Sequence, residues 1–200
     1  VELDENPVFR LLHGFNSHVG MIRSKDEDSL LALNMARMID GSGTKIWGFY
    51  AVADGIGGHD AGEIASRIIV DFISAELLEK FVAPMFRGVI FTEDEVQEKL
   101  KEMIVEANKA VLMERLNSGL DMGSTFTGIF ILDDTGYVLN VGDSRTYLLR
   151  DKELMQLTRD HSLVARWVEQ GKIQPEEIYT HPEKGIIYRS LGDVVKLEVD

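Results

Sequence analysis

Apolar residues change their period several times along this chain, and each change marks an element. FYAVA, residues 49–53, is an uninterrupted apolar run that stops at Asp54, and Gly55, Gly57 and Gly58 follow at once. That pattern predicts a buried strand, a glycine-rich turn and then a helix. Upstream, residues 15–22 alternate loosely and residues 30–35 more clearly, so two earlier strands are expected, with the turn DGSGTK at 40–45 leading into a strand over 46–53. From Ala61, the residues Ile64, Ile68 and Phe72, flanked by Ala65, Ile69 and Ile73, recur every four positions to about Leu78, which predicts a helix with one buried stripe. Thr92 with Glu95 is a capping box for a second helix through Val96, Leu100, Met103, Ile104, Ala107 and Val111 to about Leu116. The apolar connection 81–91, broken by Pro84 and Gly88, is expected to pack on the core. After the second helix the period becomes two: 123–132, 136–141, 144–149 and 154–157 read as short strands of an antiparallel meander. Short helices at 162–170 and 175–178 and a last strand beginning near Val194 complete the reading. Strands and helices in separate runs predict an α+β fold, with two helices covering one face of a sheet and more strands on the far side.

Composition narrows the function. A chain of 200 residues with 44% apolar content suits a single domain, 1–200. Its 21 basic against 34 acidic residues leave a net charge of −13, which opposes a phosphate backbone and argues against a nucleic-acid partner. The absence of cysteine removes disulfides, thiolate nucleophiles and cysteine-held zinc, leaving oxygen and imidazole donors that suit hard cations. No apolar run approaches the roughly 18 residues of a membrane span, and no basic segment with an apolar leader opens the chain. The expectation is a soluble, cytoplasmic protein with no membrane partner.

Candidate chemistry gathers at the join after residue 53. Asp54 places a carboxylate at the strand's end, where glycines let the backbone come close to whatever is bound. RSKDEDS, residues 23–29, adds Arg23 and three carboxylates, with Glu27 and Asp28 on opposite faces if the segment is extended, one facing a site and the other bracing it. Taken alone, this segment reads first as a charged surface turn, and the alternative for Asp54 alone is a turn aspartate stabilising a helix start. Asp143, in GDSR, reads either as a metal ligand or as a hairpin-turn residue paired with Arg145.

Five motifs in one order change that balance. Arg23-x-x-x-Glu27-Asp28, Asp54-Gly55-Ile56-Gly57-Gly58-His59 with Gly62-Glu63, Gly123-Ser124-Thr125, Asn140-Val141-Gly142-Asp143-Ser144-Arg145 and Leu157-Thr158-Arg159-Asp160-His161-Ser162 resemble the PP2C-type (PPM) metal-dependent serine/threonine protein phosphatases, in a bacterial form. The resemblance runs from about residue 13 to the end. It implies an α-β-β-α sandwich of two central antiparallel sheets flanked by helices, with a binuclear Mn2+ or Mg2+ centre at one edge and a third, looser ion. Carried over residue by residue, Asp54 bridges the metals, Glu27 and the Gly55 carbonyl are further ligands, and Asp143 serves the third ion. Arg23 binds the substrate phosphate, and Asp28 orients a metal water or braces the arginine. Animal members carry a proposed acid histidine where Ile56 stands here, and His59 lies three residues beyond. His161 and His181 fall in the segment 158–189, a flap in the family, with structural or surface roles expected.

The family continues beyond the LGD segment into Ser-Asp-Gly and Asp-Asn motifs whose aspartates complete the two-metal site, and this chain stops before either. The expectation is therefore a domain lacking its C-terminal strands. Its expected chemistry is hydrolysis of phosphoserine and phosphothreonine in proteins by metal-activated water. The alternative is a truncated, weakly active or inactive module that binds phosphoproteins or a partner, as a homodimer paired or swapped through an uncovered sheet edge.

Overall fold

The protein is described here by a computed structural model covering residues 11–21, 23–38, 44–58, 61–193 and 195–200. A long antiparallel hairpin forms its spine. Strand β1 (Asp28–Met38) pairs with β2 (Thr44–Gly57), in a register that sets Asp28 opposite Asp54 and Leu33 opposite Phe49. Along β2, Trp47, Phe49, Ala51 and Ala53 are buried, while Val52 and Ile56 on the other face are exposed. The apolar run at 49–53 is thus a two-faced strand, not one buried on both sides, and the strand continues through Asp54 to Gly57 instead of ending there.

Helix α1 (Ala61–Leu77) lays Ala61, Ala65, Ile69, Ile73 and Leu77 on the inner face of that hairpin, a four-residue period that keeps one side of the helix to the sheet. A π-helical stretch, Leu78–Val82, and the short α2 (Ala83–Phe86) extend it. Phe81 in this extension is fully buried and packs on Phe91 and Phe130 with ring centroids 5.5 and 5.0 Å apart, so the 81–91 connection packs on the core at Phe81 and Met85, whereas Phe86, Val89 and Ile90 are exposed. Helix α3 (Glu93–Ser118) opens on the expected capping box, Thr92 Oγ1 accepting the Glu95 N–H and Glu95 Oε2 accepting the Thr92 N–H at 2.8 Å. Val96, Leu100, Met103, Ile104, Ala107 and Val111 are all buried, and Gly119 closes the helix in the left-handed conformation at φ +69°.

The period-two region forms β3 (Met122–Ser124), β4 (Phe126–Leu132) and β5 (Thr135–Val141). With β1 and β2 they make a five-stranded antiparallel sheet of order β1-β2-β4-β5, and β3 pairs with the far end of β2. The strand expected over 123–132 is therefore two, interrupted at Thr125. The meander also stops at β5: β6 (Tyr147–Arg150) and β7 (Glu153–Gln156) form a separate two-stranded ribbon, turning through Asp151 and Lys152, both at positive φ. Helix α4 (Leu163–Glu169) and a 3₁₀ turn at Pro175–Tyr179 match the two short helices expected.

Two expected strands differ from the structure. Residues 15–21 form no strand, since their loose alternation has no neighbouring strand to pair with, and Ile22 lies outside the described residues. Residues 195–200 form none either, and Val194 is not described. The tail nevertheless reaches the outer edge of β5, where Asn140 and Asp200 exchange main-chain hydrogen bonds of 3.0 and 3.2 Å. The class is α+β, with antiparallel strands and the two long helices on one face of the main sheet.

Candidate active site

Strand periodicity delivers the first pair of carboxylates. Directly opposed residues of an antiparallel pair share a face. Asp28 and Asp54 therefore stand together on the side of the sheet away from the buried Phe49-Ala51-Ala53 row. Burial raises the Asp54 carboxyl above its ordinary value; Arg23 opposes that shift, and the charges of Asp143 and Glu27 add to it. Burial likewise raises Asp28, with the Asp54 charge next in weight. Asp143 is raised by burial and then by Asp160. Three acids from three separate segments, Asp54 and Asp143 half-buried and Asp28 more exposed, thus sit where negative charge is disfavoured, an arrangement relieved by a cation or a proton.

Glu27 and Arg23 are placed by the chain entering β1. The Glu27 carbonyl accepts the Gly55 N–H at 3.1 Å and the Ser66 hydroxyl at 2.7 Å, which ties this segment to β2 and α1. Its side chain forms an ion pair with Arg23. The arginine's brace is thus Glu27 and not Asp28. Gly55 and Gly62 bring β2 and α1 into backbone contact: a Cβ on Gly55 would lie 2.2 Å from the Gly62 carbonyl oxygen, which no side chain fits.

Asp143 sits on a turn fastened from two sides. Gly142 adopts φ +107°, and a Cβ there would lie 2.7 Å from Thr125 Cβ, so the turn rests directly on Thr125. Thr125 in turn holds both main-chain groups of Asp54: its N–H donates to the Asp54 carbonyl at 2.9 Å, and its Oγ1 accepts the Asp54 N–H at 3.1 Å. The same Oγ1 lies 2.7 Å from Ser144 Oγ, and Ser124 Oγ donates to the Asp54 carbonyl at 2.9 Å. The break between β3 and β4 is what frees Thr125 for these contacts. Arg145 does not pair with Asp143 as a hairpin reading would have it. Its Nε and Nη2 bond the buried Asp160 carboxylate at 2.5 to 3.0 Å, and Gln156 Nε2 adds a further bond at 3.0 Å.

Arg23, Glu27, Asp28, Asp54 and Gly55 are thus joined by direct contacts or main-chain bonds, and Asp143 joins them electrostatically and through Thr125. Among the described residues no three His, Asp or Glu groups are spaced to hold a metal ion. The donor chemistry does fit a hard divalent cation: carboxylate oxygens, a half-buried setting and mutual repulsion between acids. His59 lies outside the described residues. His161 is buried and structural in its contacts, and His181 packs edge-on against Trp167 at 5.0 Å between ring centroids. Thr125 and Asp160 carried no assigned role in the sequence. The only signal for either was its position inside the motifs GST and TRDHS. No helix of the described residues is long and apolar enough to cross a membrane.

Comparison with known proteins agrees with this geometry. A family model described as "Protein phosphatase 2C" matches residues 13–167. The serine/threonine phosphatase stp of Listeria monocytogenes is 38% identical over 152 residues, covering 74% of this chain and 57% of that protein. PstP of Mycobacterium tuberculosis, a serine/threonine protein phosphatase, is 32% identical over 191 residues, covering 90% of this chain and 31% of its own length. The chain spans just over half the length of the Listeria relative. Among solved structures, serine/threonine phosphatase Stp1 from Staphylococcus aureus superposes with a TM-score of 0.77 at 27% identity, covering 100% of this chain and 74% of its own. A PstP catalytic domain in complex with two manganese ions superposes at 0.68 with 30% identity, covering 92% of this chain and 69% of its own. With a family model spanning most of its length and relatives of this similarity, the chain belongs to the protein phosphatase 2C family.

Proposed function

We propose that the site hydrolyses phosphoserine and phosphothreonine in cytoplasmic proteins, with Mn2+ or Mg2+ held by Asp54, Glu27, the Gly55 carbonyl and Asp143. The observation that carries this reading is the placement of Asp28 opposite Asp54 on the hairpin, with the charge of Asp143 acting on Asp54 and Arg23 as its counter-charge; burial is the first cause raising each of the three carboxyls. When bound, the ions would neutralise phosphate oxygens and lower the pKa of a water molecule so that hydroxide is available near neutral pH. The chain's own residues do the rest. Arg23, 57% exposed and already on the carboxylate of Glu27, turns its fork to two phosphate oxygens when substrate arrives. Asp28 stays beside Asp54 to accept or return a proton, and Thr125 keeps the Asp54 backbone and the Ser144 hydroxyl in one register.

Hydrolysis of p-nitrophenyl phosphate is expected with Mn2+ and is expected to vanish in Asp54→Asn. Absence of turnover at every Mn2+ and Mg2+ concentration contradicts the reading. It would instead support a second one, a phosphoprotein-binding module. The β5 edge, which meets the tail at Asn140, is where a homodimer would pair; sedimentation velocity at dimer mass supports that pairing, and monomer mass rejects it.

A further inference from the structure

His161 is 1% exposed, yet every polar group it carries is committed to something outside its own segment. The Gly142 N–H donates to its Nδ1 at 2.9 Å, and its own N–H donates to the Gly142 carbonyl, also at 2.9 Å. Both main-chain groups of the residue before Asp143 are thus held by one histidine. Because Nδ1 accepts, the ring proton lies on Nε2, which faces Asp200 Oδ2 at 3.0 Å. Arg189 Nη1 donates to Asp200 Oδ1 at 2.7 Å and stands 3.1 Å from the same Nε2, so two donors converge on one carboxylate. The His161 carbonyl accepts the Tyr188 N–H at 2.9 Å, the Leu163 N–H reaches the Ile186 carbonyl at 2.9 Å, and Ser162 bridges Ile187. Residues 163–186, which carry α4 and the 3₁₀ turn, therefore form a loop closed at its stem on His161.

We infer that His161 is a positioning residue: its imidazole fixes the Gly142 turn, sets where the Asp143 carboxylate stands, and couples that carboxylate to the stem of the 163–186 loop. The inference rests on the proposed metal role of Asp143. A turn at φ +107° has few conformations open to it, and the two bonds to His161 select one. Left without them, the half-buried acid next to Gly142 is free to move away from the charge of Asp160 and from Asp54. Residues that orient a ligand in this way typically change metal affinity by about 10–100-fold when removed.

The test is a double-mutant cycle with His161→Leu and Asp143→Ala, read by Mn2+ affinity in calorimetry as well as by the Mn2+ concentration giving half-maximal p-nitrophenyl phosphate hydrolysis. His161→Leu is expected to weaken the Asp143-dependent Mn2+ affinity about 10-fold or more, and to have no further effect on the Asp143→Ala background. His161→Asn, whose amide oxygen can take the place of Nδ1, is expected to recover most of the loss. Equal losses on both backgrounds mark a merely structural histidine and overturn the inference. Should His161→Leu not fold, imidazole 15N shifts of the intact protein decide: an Nε2–H ring supports the inference, and a proton on Nδ1 overturns it. If Asp143→Ala itself titrates like the wild type, the role given to Asp143 fails and the inference falls with it, an outcome distinct from a normal Asp143 effect with an additive His161.

Discussion

Asp54 is the residue at which stability and function pull apart. Its carboxyl is half-buried, faces Asp28 across the hairpin, and feels Asp143 and Glu27, with Arg23 as the counter-charge. Removing that charge relieves repulsion in the metal-free protein while destroying a ligand. Metal-free Asp54→Asn is accordingly expected to melt above the wild type by about 2–4 °C, what ~1 kcal/mol amounts to in a chain of this size. Calorimetric scans in chelator would check this, and a lower melting point would show that Asp54 is stabilising as it stands. Of the candidate site residues, Arg23, Glu27, Asp28, Asp54, Gly55 and Asp143 stood out in the sequence through the order of their motifs, and the fold brings them into one neighbourhood. Thr125 was not legible, because a threonine in a period-two run is an ordinary strand residue until the break in the ladder turns its hydroxyl onto the Asp54 N–H. The partner of Arg145 was not legible either, for a related reason. Asp143 lies two positions away in sequence, but the ribbon and the 158–162 segment fold back to bring the buried Asp160 into bidentate reach.

Elements were most legible where local rules suffice. The Thr92–Glu95 box fixed the start of α3, and its four-residue stripe is buried as the pattern requires. Thr92→Ala should cost about 1 kcal/mol in denaturant unfolding. The Thr92 N–H, and then its hydroxyl, hold the Glu95 carboxyl below the ordinary value near 4.5. A lowered folded-state value means that the unfolded chain takes up the proton first. The contribution of Glu95 is therefore complete above about pH 4.5 and fades as pH falls through the depressed value. Glu95→Gln should thus lower stability at neutral pH, with the difference from wild type closing in acid. A gap unchanged down to the lowest pH at which the protein stays folded would contradict the capping role. At the ribbon, Arg145→Ala leaves the Asp160 carboxylate buried with Gln156, and a loss of about 3 kcal/mol is expected. Asp160→Asn should cost less, since it leaves no uncompensated buried charge; a reversed order in urea midpoints would show that the pair is held by something else. Less legible were elements decided by distant partners. The 15–21 segment alternates without a neighbouring strand, and the division of 123–132 into β3 and β4 depends on Leu191 returning to bond Ser124.

The whole molecule is a helix-covered antiparallel sheet whose other face carries the acids at one end and exposed Val52 and Ile56 beside them. The architecture makes the site by topology: a hairpin supplies Asp28 and Asp54, the segment before it Arg23 and Glu27, and the turn after β5 Asp143. None of these is adjacent in sequence to all the others, so a fold that failed to bring them together would remove the chemistry without removing the core. The central claim is that this meeting point is a divalent-cation site. Calorimetric titration of Mn2+ into the metal-free protein addresses it most directly. Two ions per chain, as in the PstP catalytic domain solved with two manganese ions, are predicted, with that binding lost in Asp54→Asn; no binding by the wild type, or binding unchanged by the substitution, would contradict the account.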